Sequence, residues 1–147
     1  MAFAAVLQNR ILKSSYMNLE KVLLIDDSDI DNMVNKKVIE KAGFSKTIVV
    51  KKSAESALDY LKDLSANYPA DIPDVIFLDI RMPETDGFGF LEKYESLPET
   101  ITAKSVIVML SSSIDQEDYN KALANKFVRL FLNKPLKKEN VEMVAKL

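Results

Sequence analysis

The chain has 147 residues and a formal net charge of −2, so it fits one domain and gives no reason to expect nucleic-acid or membrane binding by charge. Almost half of it, 48%, is hydrophobic, which is enough to build a core. It contains no cysteine and no histidine, which excludes disulfides, thiolate and imidazole metal sites, Ser-His-Asp catalysis and any phosphohistidine of its own.

The apolar start, residues 1–7, is too short to cross a bilayer, and Arg10 and Lys13 follow it where a signal peptide carries its basic residues in front. Met17-Asn18-Leu19-Glu20-Lys21 reads as a natural start, so residues 1–16 read as a leader or loose extension. The domain boundary is set with 1–18 as that N-terminal extension and 19–147 as the folded unit. The lack of cysteine is compatible with a reducing cytoplasm, the expected location.

The run VLLI at 22–25 is apolar on both faces, as in a central parallel strand, and ends in Asp26-Asp27-Ser28-Asp29. Asp29 is a suitable cap for a helix that follows, with Met33, Val34, Val38 and Ile39 on one face and Gly43 closing it. TIVV at 47–50 is a second strand, and Ser53 opens a helix with Ala54, Ala57, Leu58 and Leu61 inward. Residues 63–74, with Pro69 and Pro73, read as a loop. VIFL at 75–78 is a third strand ending in Asp79; Pro83 and Gly87 punctuate a turn before a helix at 88–94. VIVML at 106–110 is a fourth strand, ending in Ser111-Ser112-Ser113, and a helix follows at 115–123. A fifth strand at 128–132 leads into Asn133-Lys134-Pro135, and a last helix covers 137–147.

Strand and helix alternate five times, which implies a parallel sheet with helices on both faces. Ligands of such sheets sit outside the carboxyl ends of the strands. Asp26, Asp27, Asp79, Ser111 and Lys134 all follow strands, so they should converge on one edge of the sheet. The acidic run at 26–29 would serve as a helix cap, but a cap needs only one of its residues. Two carboxylates about 4 Å apart repel by roughly 4 kcal/mol at an effective dielectric of 20, so something positive must offset them. Lys134 and a hard, oxygen-loving cation such as Mg2+ are the candidates. Ser111 alone is weak, since serines after strands often satisfy loop backbone. Lys134-Pro135 is more specific, because proline holds the residue before it extended and makes a cis bond accessible.

VLLIDDSD, VIFLDIRMPETDG, VIVMLSSS and FLNKP, in that order over residues 21–147, resemble the motifs of bacterial two-component response-regulator receiver domains, of the single-domain chemotaxis type. The resemblance implies a flavodoxin-like doubly wound α/β sandwich, a five-stranded parallel sheet in the order 2-1-3-4-5 with five helices. It implies that Asp79 is the phosphoacceptor, that Asp27, Asp79 and the carbonyl of Arg81 ligate Mg2+, and that Asp26 acts on the metal through water. It gives Ser111 the switch hydroxyl, with Ser112 an alternative by spacing, and Lys134 the pairing with the phosphoryl group. Phe131 resembles the family's aromatic switch, though it also reads as an ordinary core residue of the fifth strand. Arg81 and Ser113 fall where relatives tune the decay of the acyl phosphate.

The implied role is a phosphorelay acceptor that catalyses its own phosphorylation and dephosphorylation, and is not otherwise an enzyme. Its phosphoryl group comes from a sensor histidine kinase or histidine phosphotransfer protein docked on the first helix, 30–41. The output then passes to a downstream protein through residues 113–140, a face holding Tyr119, Phe127, Val128 and Phe131. No output domain is expected after the last helix, and no nucleic acid or membrane is expected as a partner. Two rivals are a haloacid-dehalogenase-type phosphatase and a receiver-like module that is never phosphorylated. The first wants Asp, one residue, then Asp after the first strand. Asp27 and Asp29 have that spacing, but no Gly-Thr follows.

Overall fold

A computed structural model describes residues 19–147 apart from residue 44; residues 1–18, expected to be an extension, lie outside the described residues. Five parallel strands form one sheet in the order β2-β1-β3-β4-β5. They are β1 (Leu19–Ile25), β2 (Ser45–Lys51), β3 (Val75–Asp79), β4 (Val106–Ser111) and β5 (Val128–Asn133). Residues of β1 alternate between two apolar layers. Leu23 and Ile25 join one core with Ile76, Leu78, Ile107 and Met109. Val22 and Leu24 join the other with Val75, Phe77, Val108 and Leu110. Burial on both faces is what the unbroken apolar runs require.

Helices α1 (Asp29–Ala42) and α6 (Lys138–Ala145) cover the second layer, through Ile39, Val141, Val144 and Ala145. Helices α2 (Ala54–Asn67), α3 (Gly87–Tyr94) and α5 (Gln116–Ala124) cover the first, with α4 (Glu99–Thr102), a single turn, beside them. The described residues thus hold six helices rather than five. The extra turn begins after Pro98 and buries Ile101 in the core that also holds Leu97, a pair too short a signal to mark a helix in the sequence. The expected loop at 63–74 is also shorter. Leu64 extends the stripe of Leu58 and Leu61, so α2 runs on to Asn67, and a 3-10 turn (Pro69–Asp71) follows.

Helix α1 departs most from expectation. Its cap is Ser28, whose Oγ accepts the N–H of Asp31 at 3.2 Å, while Asp29 is exposed and paired with Lys52. Of the expected stripe, Ile39 is buried and Val38 packs against the same core, but Met33 is exposed, and Asn32 and Asn35 point inward instead. Gly43 ends the helix at φ 70°, the left-handed cap position.

Candidate functional site

The strand ends bring Asp26, Asp27 and Asp79 together, one carboxylate oxygen from each lying within 4.8 Å of the others. Asp26 and Asp79 are buried and Asp27 is exposed. The Lys134 ammonium fills the space between the acids, 2.9 Å from Asp26 Oδ2 and 3.3 Å from Asp79 Oδ1. It also reaches Asp31 Oδ2, at 2.8 Å, on the first turn of α1. Burial pushes the Asp79 carboxyl up from 3.8 to about 6; the neighbouring Asp26 charge pushes the same way, and Lys134 and the Arg81 backbone N–H only partly oppose them. Burial pulls the lysine down, but bonds from Asp31 and Asp26 and the charge of Asp79 outweigh it and hold the ammonium above its ordinary range. The donor set suits a hard divalent cation: three carboxylates converge, and one lysine does not neutralise them.

Two asparagines of α1 fasten the loops that carry these groups. Asn32 Nδ2 donates to the Asp26 carbonyl at 2.8 Å, and Asn35 Oδ1 accepts the N–H of Leu136 at 2.9 Å, both buried. The first fixes the acidic loop; the second fixes the chain just past the cis Lys134–Pro135 bond. The backbone N–H of Lys134 donates to the Ser111 carbonyl at 2.9 Å, so the ends of β4 and β5 are joined as well.

The loop after Asp79 is anchored at several points. Gly87 packs so closely that a Cβ there would lie 2.7 Å from the Asp79 carbonyl oxygen, which only glycine permits. Asp86 caps α3 through the N–H of Gly89 at 2.8 Å. Thr85 donates to Glu55 of α2, and that bond holds the Glu55 carboxyl below its ordinary range. Arg81 reaches across to Asp118 of α5 at 2.8 Å. Sequence reasoning missed Asp31, Asn32, Asn35 and Asp118. The one available signal was a pair of asparagines three apart, in step with Ile39 and Ala42 on an otherwise apolar stripe.

The family model of the response regulator receiver domain matches residues 22–146. The chain belongs to that family. A two-component response regulator from Cytophaga hutchinsonii superposes with a TM-score of 0.81 at 31% identity, over 86% of this chain and 94% of that one. The probable methanogenesis regulatory protein FilR2 of Methanothrix harundinacea is 31% identical over 82% of this chain and 76% of its own. The two-component response regulator ARR22 of Arabidopsis thaliana is 31% identical over 84% of this chain and 79% of its own.

In this receiver the remaining residues expected at the site take distinct positions. Ser111 is buried at the end of β4, and its Oγ donates to the Ser113 carbonyl at 2.6 Å, so the hydroxyl is held within its own loop. Ser112 and Ser113 are exposed. Phe131 is buried, with its ring 5.8 Å from that of Tyr119. The expected output face needs correction. Val128 and Phe131 are core, and Phe127 packs edge-on against Tyr94 at 5.1 Å, because β5 turns these residues under α5. The apolar residues this receiver exposes there are Ile114, Tyr119 and Leu123. On α1, Ile30 and Met33 are exposed beside the acid cluster, at 70% and 52%. Asp29, which supplied the phosphatase-like spacing from Asp27, is engaged with Lys52 instead. Among the described residues no helix is long and apolar enough to cross a membrane.

Proposed function

We propose that this receiver accepts a phosphoryl group on Asp79 from a phosphohistidine of another protein, with Mg2+ held by Asp27, Asp79 and the Arg81 carbonyl, and by Asp26 through water. The observation that carries the reading is the buried Asp79 carboxylate facing the Lys134 ammonium at 3.3 Å, with two further acids converging on it. When bound, Mg2+ supplies the positive charge that lets three acids and a phosphoryl group share one pocket. The Asp79 oxygen forms the new bond to phosphorus while the bond from phosphorus to the donor's imidazole nitrogen breaks, and the imidazole leaves with that electron pair. The chain's part is to orient the nucleophile and stabilise charge, as phosphoryl transfer requires. Asp79 is held by the β3 end and the close packing of Gly87, and Lys134 is aimed at the spot where phosphoryl oxygens come to rest.

The new charge draws Lys134 and Ser111 inward, and Ser111 must give up its bond to Ser113 to follow. Phe131 and α5 repack in response, altering the face of Ile114, Tyr119 and Leu123 offered to a downstream protein. The donor, a sensor histidine kinase or histidine phosphotransfer protein, docks on α1 around Ile30 and Met33. The protein then works as a self-dephosphorylating signal carrier in the cytoplasm rather than as an enzyme with an external substrate. Arg81 and Ser113 set how long the signal lasts.

Treatment with acetyl phosphate and Mg2+, read by intact-protein and peptide mass spectrometry, tests the reading. One phosphoryl group on Asp79, lost in Asp79→Asn and in the presence of a metal chelator, is the expected result. A chain that stays unmodified is a receiver-like interaction module, and sustained turnover of phosphate esters makes it a phosphatase; either overturns the reading.

A further inference from the structure

The Lys134 ammonium donates hydrogen bonds to Asp26 at 2.9 Å and to Asp31 at 2.8 Å, and forms an ion pair with Asp79 at 3.3 Å. Two of these acids are almost wholly buried, their side chains 5% and 4% exposed, whereas that of Asp31 is 40% exposed. Asp31 also lies outside the trio of Asp26, Asp27 and Asp79 whose carboxylate oxygens converge. It reaches the lysine because Ser28 caps α1 and so sets the first turn beside the β5 end. One ammonium therefore serves two buried acids that a cation also needs and one rim acid that it does not.

We propose that Asp31 is a positioning residue that holds Lys134 at the rim of the acid pocket and releases it to the phosphoryl group. The inference rests on the reading of Asp79 as phosphoacceptor. With Mg2+ held by Asp27 and Asp79, and by Asp26 through water, the lysine would share both of its buried partners with the cation, and Asp31 would keep it. When a phosphoryl oxygen arrives, the lysine swings to it, and the bond to Asp31 breaks at small cost because that carboxylate remains in water. Asp31 thus favours metal loading and opposes the phosphorylated state, two effects of opposite sign from one side chain.

The opposite signs make the test. Dissociation constants for Mg2+ alone, and for beryllofluoride at saturating Mg2+, are measured by NMR titration of the wild-type chain and of Asp31→Asn, Asp31→Glu and Asp29→Asn. In Asp31→Asn beryllofluoride binds roughly 3- to 5-fold tighter, the range for a partly exposed ion pair, and Mg2+ binds more weakly. Asp31→Glu, which retains a carboxylate for Lys134, stays near the wild type in both. Asp29→Asn removes the same charge from the same turn without touching Lys134, and changes neither. A general loosening of α1 would weaken both ligands, and a plain charge effect of Asp31 would weaken Mg2+ binding as much in a Lys134→Met background as in the wild type; either result overturns the assignment, as does an Asp31→Asn chain identical to wild type. If the wild-type chain binds no beryllofluoride in Mg2+, the phosphoacceptor reading itself falls and takes this inference with it.

Discussion

Asp79 should make the metal-free protein less stable as the pH rises. Its carboxyl is pushed up from 3.8 to about 6, by burial first and by the Asp26 charge second. An acid whose proton is held more tightly in the folded state than in the unfolded one contributes most at low pH, and loses that contribution as pH climbs through the folded value. The loss begins near pH 4 and is complete above about 6. At about 1.4 kcal/mol per pH unit it amounts to on the order of 3 kcal/mol. Coulomb's law gives a similar scale, since two carboxylate charges no more than 4.8 Å apart repel by about 3.5 kcal/mol or more at an effective dielectric of 20, which Lys134 partly offsets. Asparagine has the shape of the protonated acid, so Asp79→Asn removes the penalty. Urea unfolding of both chains in a metal chelator, at steps from about pH 4 to 8, cancels the titrating groups that do not interact with Asp79. The variant is expected to match the wild type near pH 4 and to exceed it by up to about 3 kcal/mol above pH 6. Saturating Mg2+ should narrow or reverse the gap, because only the wild type keeps all three acids. A difference between the two chains that stays constant across this range would refute the reasoning.

Three other outcomes follow from single contacts. Asn35→Leu leaves the buried N–H of Leu136 without its acceptor and should cost about 1–3 kcal/mol, read from the urea midpoint. Gly87→Ala places a methyl group 2.7 Å from the Asp79 carbonyl oxygen. The backbone must shift, costing about 1–3 kcal/mol and slowing phosphoryl uptake from acetyl phosphate, which a phosphorylation time course would show. Arg81→Ala breaks an exposed pair worth less than about 1 kcal/mol, so stability should hardly move. The phosphoryl lifetime, followed by phosphate release, should change, and Asp118→Asn should shift it too by freeing the guanidinium; an unchanged rate in both counts against the role of Arg81.

The central sheet was legible because its evidence is local. VLLI, VIFL and VIVML are apolar on both faces, and only a strand covered on both sides accommodates that. Acids, a serine and a lysine placed just after such runs had to meet at one edge, and the acids and Lys134 do. The face of α1 was not legible, because burial there follows hydrogen bonding rather than hydropathy. Asn32 and Asn35 displace Met33 from the interior since each satisfies a loop backbone group that no apolar side chain could satisfy. The same limit hid Asp31, whose value lies in a lysine 103 residues away. The output face was misread for a related reason. A strand-edge aromatic such as Phe127 looks the same in sequence whether it faces solvent or, as here, the ring of Tyr94.

The site and the core make opposite demands on the same strands. Leu24, Ile25 and Leu78 are buried, so whatever follows them is carried to the protein's interior edge, where charge is costly. Four acids around one lysine leave three negative charges uncompensated at that edge. A divalent cation reduces the excess to one. Converting the Asp79 carboxylate to an acyl phosphate replaces one negative charge with nearly two, which restores part of the excess. Among the described residues Lys134 is the one side-chain cation of the cluster, and a metal there would be held by its ligands, so the lysine is left to answer it. Its resting partners therefore decide how readily the protein changes state. Asp26 and Asp79 are fixed by burial and would be engaged by the proposed metal, which leaves Asp31, on the helix proposed to meet the phosphoryl donor, as the contact through which docking reaches the lysine.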